Sequence, residues 1–311
     1  MPALTLKAGP DAYARAAALL SDGGLVALPT ETVYGLAADA RSDAAIRDIY
    51  TAKGRPSDNP LITHLLRAEE AARYARIPDL AAKLTIRFWP GPLTLVLPRR
   101  DSDLAARASA GLGTIALRCP DAPWRAGLVA AGWDAPLVMP SANLSGHVSP
   151  TTAAHVFHDL GDRIDLIVDG GPCARGVEST VIRVDDDGAA LLRSGAVARA
   201  DIEAVTSPLR EPAPGAPLAS PGMMHRHYAP QASLRLNAKA ARDGETLIGF
   251  GPGFAGPSLS GTGDLAEAAR NLYRLLRELD GPGVKLAVAP IPGGGLGAAI
   301  NDRLQRAARG R

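Results

Sequence analysis

Short apolar runs rich in β-branched residues alternate with longer Ala-rich stretches along residues 1–206. The apolar runs predict buried strands and the Ala-rich stretches predict helices, so their alternation indicates an α/β domain. The predicted strands are residues 25–29, 61–66, 93–97, 114–118, 137–139, 166–168 and 180–184. The predicted helices include residues 11–20, ended by Gly23 and Gly24, and residues 42–53, for which Ser42 can serve as N-cap.

The pattern changes between residues 207 and 221, where five prolines occur without periodic apolar spacing. Because proline interrupts both helices and central strands, this stretch predicts a linker. A shorter α/β pattern follows it. Its predicted strands and helices are residues 246–250, 264–279, 285–291 and 296–308. We therefore predict a large domain over residues 1–206, a linker over 207–231 and a small α/β domain over 232–311.

The composition indicates a folded globular protein and excludes several other classes. The 311 residues are 46% hydrophobic and 21% charged, which is typical of a globular protein and excludes an intrinsically disordered one. The formal net charge of +2 does not by itself indicate nucleic-acid binding. Cys119 and Cys173 lie far apart and indicate neither a zinc site nor a disulfide framework. No stretch approaches the roughly 20 apolar residues of a membrane span, and no secretory signal pattern occurs, so we expect a cytoplasmic protein without membrane contact.

The densest group of polar residues follows the first predicted strand, in Pro29-Thr-Glu-Thr-Val-Tyr-Gly35. Ligands of α/β folds bind outside strand ends, so we expect these hydrogen-bonding side chains to lie at a site. One helix later, Lys53-Gly-Arg-Pro-Ser-Asp-Asn-Pro60 places an ammonium, a guanidinium and an amide within eight residues, which suits a polyphosphate. Taken alone, the same cations are equally typical of a solvated helix C-terminus stabilised by the helix dipole.

Polar residues also stand at the ends of later predicted strands, in the segments 114–118, 140–143, 149–152, 178–180 and 192–195. Each segment alone is typical of a cap, a turn or a sheet edge, but together they predict one cleft lined by several strand ends. His64 alone is typical of an ordinary strand histidine, and His225 with His227 lacks the third ligand of a metal site. The glycine-rich pieces 249–253 and 293–295 complete no nucleotide-binding motif and predict structural turns.

Five motifs stand out among these segments. They are Pro29-Thr-Glu-Thr-Val-Tyr-Gly-Leu36, Lys53-Gly-Arg-Pro-Ser-Asp-Asn-Pro-Leu61, Pro140-Ser-Ala-Asn-Leu-Ser-Gly146, Glu178-Ser-Thr-Val181 and Leu192-Arg-Ser-Gly-Ala196. In type, order and spacing they resemble the YrdC-like threonylcarbamoyl-AMP synthase family, and the resemblance spans nearly the whole chain. Residues 220–230 and 295–304 resemble the linker and the end of the second domain in the family's long, two-domain branch. The resemblance implies a YrdC-like twisted mixed sheet with flanking helices, followed by a smaller Rossmann-like α/β domain.

The same resemblance implies a nucleotidyltransferase that forms threonylcarbamoyl-AMP and pyrophosphate from L-threonine, bicarbonate or CO2, and ATP. The product would serve the threonylcarbamoyladenosine modification of transfer RNA. The implied cofactor is Mg²⁺ held through the ATP phosphates, without metal ligands from the protein. Implied partners beyond the substrates are transfer RNA and the downstream threonylcarbamoyl transferase proteins.

Carried over position by position, the resemblance implies two groups of ligand-binding residues. The threonine group is Thr32, His64, Arg118, Ser179 and the main chain near Met139. The ATP group is Arg55, Asn59, Thr114, Ser141, Asn143, Ser149, Arg193 and Tyr228. Lys53 and Arg55 would act in catalysis by neutralising phosphate charge, and Arg118 can hold a carboxylate with two parallel hydrogen bonds.

The linker departs from the family pattern, because Met224-His225 stands where the family commonly has Lys-Tyr. The aromatic and basic residues 225–228, beside proline-rich chain, predict a lid over the nucleotide. One alternative is a binding module that holds double-stranded RNA through its phosphates without catalysis. Another is a carbamoyl transferase related to hydrogenase-maturation proteins, whose acylphosphatase and cysteine-rich zinc segments do not occur in this sequence.

Overall fold

The computed structural model describes residues 2–211 and 228–309. The strands in these ranges are β1 (Leu4–Lys7), β2 (Val26–Leu28), β3 (Gly35–Asp39), β4 (Ile62–His64), β5 (Leu93–Pro98), β6 (Thr114–Arg118), β7 (Leu137–Val138), β8 (Leu166–Asp169), β9 (Thr180–Asp185), β10 (Gly188–Arg193), β11 (Ser233–Arg235), β12 (Glu245–Ile248) and β13 (Lys285–Val288). The α-helices are α1 (Pro10–Ser21), α2 (Asp43–Lys53), α3 (Ala71–Tyr74), α4 (Asp79–Phe88), α5 (Trp124–Ala130), α6 (Ala153–Leu160), α7 (Arg199–Thr206), α8 (Leu265–Glu278) and α9 (Leu296–Ala307). Short 3-10 helices span Ala68–Glu70 and Ala106–Ser109.

Strands β1 to β10 form one mixed sheet in the order β1-β8-β2-β3-β7-β4-β6-β5-β9-β10. The pairs β1–β8, β2–β8, β4–β6 and β5–β9 are parallel, and the other neighbours are antiparallel. Strands β11, β13 and β12 form a separate parallel sheet that carries α8 and α9. The predicted mixed sheet with flanking helices and a smaller C-terminal α/β domain is confirmed.

Helix α2 shows how local sequence sets a boundary beside the site. Ser42 caps it as predicted, because its Oγ accepts a hydrogen bond of 3.2 Å from the N–H of Ala45. Gly54 ends the helix with φ at 59°, a left-handed conformation that glycine adopts without the strain of a Cβ. The helix therefore stops at Lys53, and Arg55 follows directly after the turn.

Most predicted strands agree with the structure to within two residues, and the strand predicted at 114–118 coincides with β6. The strand predicted at 285–291 is too long, because it ends at Val288 just before Pro290, which cannot donate to a sheet. Strand β3 was not predicted, since Gly-Leu-Ala-Ala-Asp contains no β-branched or aromatic residue. Local composition therefore predicted seven of the ten strands described in the large sheet and missed β3 in its interior, the edge strands β1 and β10, and β11 of the small sheet.

The two domains share buried apolar surface. Val33, Val148 and Val177 of the large domain belong to one cluster with Leu272 of α8 and Ile300 of α9. A Cβ at Gly176 would clash with the backbone of α8, so glycine lets the chain before β9 lie directly on this helix. The small domain is thus packed against the segment that leads into β9.

The predicted lid falls largely on residues outside the described ranges, and so do His225 and His227. Just before residue 212, Arg210 forms a parallel backbone bridge with Ala190 at the edge of the sheet. Just after residue 227, the N–H of Ala229 donates to the carbonyl of Gly146 at 2.8 Å. The described chain after residue 227 therefore begins beside the loop of the Pro140-Ser-Ala-Asn motif.

Candidate active site

A cavity with an empty volume of about 470 Å³, part of it open to solvent, lies against the large sheet. Its walls come from strands β4, β6 and β10, from the segments before β3 and β9, and from the chain after α2 and β7. Nine of the predicted site residues line it: Thr32, Arg55, His64, Arg118, Met139, Ser141, Ser179, Arg193 and Tyr228. The fold thus brings Thr32 and Tyr228, which are 196 residues apart in the sequence, to the same cavity.

The other predicted residues, Lys53, Asn59, Thr114, Asn143 and Ser149, do not line this cavity in the described structure. Thr114 stands at the start of β6, while Arg118 stands at its end. Four residues of strand separate them by about 13 Å, and both side chains point to the same face of the sheet. Thr114 therefore shares the face of the cavity but lies at a distance from it.

Asn59 and Ser149 lie behind lining residues. The carbonyl of Asn59 accepts hydrogen bonds from the hydroxyl of Tyr50 at 3.0 Å and from Nη2 of Arg55 at 3.4 Å. Ser149 donates from Oγ to Oε1 of Glu178 at 2.6 Å. Both residues thus hold a neighbour that lines the cavity.

Lys53 is buried and faces carbonyl oxygens rather than the cavity. Its Nζ donates to the main-chain oxygens of Ser141 at 2.6 Å and Asn143 at 2.5 Å. Burial lowers the pKa of Lys53 well below its usual value, and the charge of Arg55 adds to this. In turn, Nδ2 of Asn143 donates to the carbonyls of Leu144 and His147 at 2.8 and 3.0 Å. Lys53 and Asn143 therefore fix the loop that presents Ser141.

Arg118 anchors one end of the cavity. Its Nε donates to the carbonyl of Gly91 at 3.2 Å, and Nη2 donates to Oγ1 of Thr32 at 3.0 Å. The same Nη2 lies 2.8 Å from Oε2 of Glu31, and the two side chains are only 5% and 10% exposed. The guanidinium is held in place from behind, so it can present its charge to a carboxylate without a large loss of side-chain entropy.

Glu31 pairs with Arg118 beside the cavity, a contact that the sequence did not predict although Glu31 lies within the first motif. Its second oxygen, Oε1, accepts from the N–H of Asp121 at 3.3 Å. Because Glu31 neutralises Arg118 in part, a ligand carboxylate must share that guanidinium with it.

His64 lies beside Arg118, its register partner across β4 and β6. Its Nδ1 lies 3.0 Å from the carbonyl of Ile62, which makes Nδ1 the protonated nitrogen and leaves Nε2 as an acceptor. Burial, with the charge of Arg118, lowers the pKa of His64 to about 3. A neutral imidazole here can accept a hydrogen bond from a ligand hydroxyl or amine.

We expect His64 to stay neutral between pH 5 and 8, because its lowered pKa lies below that range. In a nitrogen-15 NMR titration, the His64 ring signals should keep the pattern of a neutral imidazole protonated on Nδ1. A His64→Gln variant identifies those signals by their loss. A titration midpoint inside this pH range would contradict the assignment.

Two arginines make the other end of the cavity cationic. Arg55 donates from Nη2 to the carbonyl of Pro60 at 3.2 Å, while its Nε is buried without a hydrogen-bond partner among the described residues. Arg193 donates to the carbonyl of Ser179 from Nε at 3.2 Å and from Nη2 at 2.9 Å. Burial lowers the pKa of Arg55 to about 10, so the group keeps its charge at neutral pH. Two fixed, desolvated guanidinium groups suit a phosphate chain.

Ser179 lines the cavity next to Arg193. Its Oγ is 2.8 Å from Oγ1 of Thr94 and accepts from Nη2 of Arg193 at 3.1 Å. The preceding residue, Glu178, also lines the cavity, and it was predicted only as part of a motif. Its carboxylate accepts from Nε of Arg303 at 2.9 Å and from the hydroxyl of Tyr273 at 2.9 and 3.0 Å. Both partners belong to the C-terminal domain, so this domain contacts the cavity wall.

The carboxylate of Glu178 makes stability depend on pH. Burial alone would raise its pKa, but the charges of Arg303 and Arg193 outweigh burial and lower the pKa from 4.5 to about 2. A lowered folded-state pKa gives stability that is complete above the unfolded value and is lost as pH falls through the folded value. The charged form of Glu178 therefore stabilises the fold at neutral pH.

We expect Glu178→Gln to unfold with a free energy lower by about 3 kcal/mol at pH 7, since it leaves Arg303 buried without its partner charge. The difference from the unsubstituted protein should shrink as pH falls from about 4.5 toward about 2, where Glu178 becomes protonated. Urea unfolding across this range measures it. A difference that stays constant with pH would contradict the paired carboxylate.

Further findings concern metals and membranes. In residues 2–211 and 228–309, no group of three or more His, Cys, Asp or Glu side chains is placed to hold a metal ion. None of the helices in that part of the chain is long and apolar enough to cross a membrane.

The large domain matches the Sua5–YciO–YrdC family model, described as telomere recombination, over residues 18–195. Residues 197–309 match a model described as threonylcarbamoyl-AMP synthase, C-terminal domain. The threonylcarbamoyl-AMP synthase of Bacillus subtilis (strain 168) is 42% identical and aligns with 96% of this chain and 93% of its own length. That of Pyrococcus abyssi is 40% identical and aligns with 94% of this chain and 92% of its own length.

A crystal structure of P. abyssi Sua5 complexed with L-threonine superposes with a TM-score of 0.87 at 37% identity, covering 99% of this chain and 97% of that one. These similarities support the synthase prediction and give no support to the RNA-binding alternative. The chain belongs to the Sua5–YciO–YrdC family and carries the C-terminal domain of its threonylcarbamoyl-AMP synthases.

Proposed function

We propose that this protein is an ATP-using nucleotidyltransferase that forms threonylcarbamoyl-AMP and pyrophosphate from L-threonine, bicarbonate and ATP. One observation carries the proposal. A single cavity has buried guanidinium groups for phosphates at one end, and a braced arginine with hydroxyl and imidazole groups for an amino acid at the other. Relatives at 40% and 42% identity, matched over almost their full length, carry the same activity in their names.

At the amino-acid end, Arg118 binds the carboxylate of threonine, which then shares the guanidinium with Glu31. His64 accepts through Nε2 from the hydroxyl or amine of threonine. Thr32 and Ser179 complete the hydroxyl-rich surface, and the main chain at Met139 lines the cavity beside them. These groups select a small amino acid that carries a hydroxyl.

At the nucleotide end, Arg55 and Arg193 bind the phosphates of ATP, with Ser141 and Tyr228 on the same walls. Lys53, Asn59, Asn143 and Ser149 act behind them by holding the loops in place. Thr114, on the same sheet face but farther along β6, lies where a more distant part of the nucleotide extends.

The chemistry proceeds in two steps. The amine of threonine attacks bicarbonate-derived CO2 and loses a proton, giving a carbamate. A carbamate oxygen then attacks the α-phosphorus of ATP, the bond to the bridging oxygen breaks, and pyrophosphate leaves. Because the nucleophile is already an anion, the protein contributes by positioning and by neutralising charge through Arg55 and Arg193.

Mg²⁺ enters this proposal together with ATP. The acidic side chain among the described lining residues is Glu178, and its two oxygens already accept hydrogen bonds from Ser149, Tyr273 and Arg303. The cavity therefore suits a cation bound by phosphate oxygens and water, whose chemistry is to neutralise phosphate charge. We further propose that the protein works in the cytoplasm and supplies its product to the proteins that modify transfer RNA.

The direct test is to incubate the protein with ATP, Mg²⁺, L-threonine and carbon-13 bicarbonate and to analyse the products by mass spectrometry. We expect a mixed anhydride of threonylcarbamate and AMP that carries one carbon-13 atom, with pyrophosphate formed in equal amount. Serine in place of threonine should give less product. Pyrophosphate release without the labelled anhydride, or salt-dependent RNA binding without pyrophosphate release, would contradict the proposal.

A further inference from the structure

Arg303 is a buried cation of the C-terminal domain that the proposed chemistry does not use. It lies on α9 with an exposed fraction of 0%. Its Nε donates to Oε2 of Glu178 at 2.9 Å, and its Nη1 donates to Oδ2 of Asp302 at 2.7 Å. A buried charge is costly unless it is paired and hydrogen-bonded, so this contact restrains both domains.

Glu178 transmits this restraint to the cavity wall through its own backbone. The N–H of Ala196 donates to the carbonyl of Glu178 at 2.9 Å. A Cβ at Gly195 would clash with the backbone around Ser179, so glycine lets the chain after β10 lie directly on this segment. Arg193, at the end of β10, donates to both the carbonyl and the Oγ of Ser179. A shift of Glu178 must therefore move Ser179 and Arg193 with it.

The same cluster holds Tyr228 from two sides. The Cζ atom of Arg303 lies 5.2 Å from the centroid of the Tyr228 ring. The ring of Tyr273 stacks on Tyr228 with centroids 5.7 Å apart and an interplanar angle of 24°, while its hydroxyl donates to Glu178. Glu178 and Tyr228 both line the cavity. Arg303 and Tyr273 thus support two lining residues without lining the cavity themselves.

We propose that Arg303 is a positioning residue for ATP, and that the C-terminal domain completes the nucleotide side of the cavity through it. This inference rests on the proposed function for the identity of the ligand. Of the residues assigned to threonine, Ser179 adjoins Glu178, whereas Thr32, His64 and Arg118 belong to other strands and loops of the large domain and keep their own contacts. Loss of the Arg303 contact should therefore weaken ATP binding more than threonine binding.

The test measures binding of ATP with Mg²⁺ and of L-threonine to the full chain by calorimetry. We expect Arg303→Met to raise the Kd for ATP about tenfold and the Kd for threonine by about threefold at most, because Ser179 is the threonine-binding residue next to Glu178. Arg303→Lys should restore part of the ATP affinity, because it keeps the charge. The matched control is Arg274→Met on α8 of the same domain, whose side chain is 42% exposed and whose Nη1 pairs with Glu278. It should bind both ligands as the unsubstituted protein does.

A pH series distinguishes a positioning role of Arg303 from a general destabilisation of the fold. The charge of Arg303 lowers the pKa of Glu178, so in Arg303→Met the loss of ATP affinity on the acid side should begin at a higher pH. Unchanged ATP affinity and an unchanged pH profile would overturn the inference, as would equal losses for both ligands. If Arg303→Met does not fold, Tyr273→Phe, which removes only one donor to Glu178, should raise the Kd for ATP about threefold. No effect there would equally overturn it.

These measurements require no turnover, so the two proposals can fail separately. Wild-type protein that binds ATP but forms no labelled anhydride contradicts the proposed function and leaves the role of Arg303 standing. Wild-type protein that forms the anhydride, with Arg303→Met equal to it in ATP affinity, contradicts only the role of Arg303.

Discussion

Arg55→Ala is expected to lower threonine-dependent pyrophosphate release by about 10³-fold, the effect of removing a preorganised charge from a transition state. Arg55 is buried at the cationic end of the cavity, and its Nε has no hydrogen-bond partner in the described part of the chain. In the proposed function, an ATP phosphate supplies the missing acceptor. Coupled detection of pyrophosphate, with and without threonine, measures the loss.

Arg47→Ala is the matched control for this variant. Arg47 lies on α2, the helix that ends just before Arg55, but its side chain is 63% exposed and pairs weakly with Asp43 at 4.0 Å. We expect its turnover to remain within about twofold of the unsubstituted protein. Near-normal pyrophosphate release by a folded Arg55→Ala variant would refute the assignment of Arg55.

Replacement of Arg118 should act on threonine rather than on ATP. Arg118→Met is expected to raise KM for threonine more than about 100-fold, because it removes a charge-assisted contact to the substrate carboxylate. The single variant also leaves the largely buried carboxylate of Glu31 without its partner charge, which destabilises the fold by about 3 kcal/mol. The double variant Glu31→Gln with Arg118→Met removes both charges and should regain stability without regaining threonine affinity.

Steady-state kinetics and ATP calorimetry on these variants separate the two ends of the cavity. We expect the Kd for ATP to stay within about threefold in the double variant. Arg67→Ala is the control, since Arg67 pairs with Glu70 on the surface. A large loss of ATP affinity together with an unchanged KM for threonine would show that Arg118 serves the nucleotide instead.

Local sequence signals predicted much of the fold. Ser42 begins α2 because its side chain caps the helix, and Gly54 ends it because glycine adopts the left-handed conformation. The strand predicted at residues 114–118 coincides with β6. Strand β3 was missed because its alanine-rich sequence has no strand propensity of its own. It is a strand because β2 and β7 pair with it on either side. Pairing between strands that are distant in the sequence cannot be predicted from the composition of a short segment.

The candidate site was predictable where the motifs themselves line the cavity, as for Thr32 and Ser179. The packing role of Lys53 could not be predicted, because an ammonium group can donate hydrogen bonds to carbonyls or to phosphates and the sequence does not distinguish these partners. The position of Glu178 beside Arg303 was also unpredictable, since 125 residues and a domain boundary separate this pair. The carboxylate of Glu178 at a cavity proposed to bind phosphates is explained only by its buried partners, Arg303 and Tyr273.

The most direct test of the account is a crystal structure of the full chain with L-threonine and a non-hydrolysable ATP analogue together. We predict that both ligands occupy the one cavity, with the carboxylate of threonine on Arg118 and the phosphates on Arg55 and Arg193. The gap between the threonine nitrogen and the α-phosphorus should then admit a carbamate whose oxygen lies about 3–3.5 Å from phosphorus. Threonine and nucleotide bound in separate cavities, or on opposite faces of the sheet, would contradict the account.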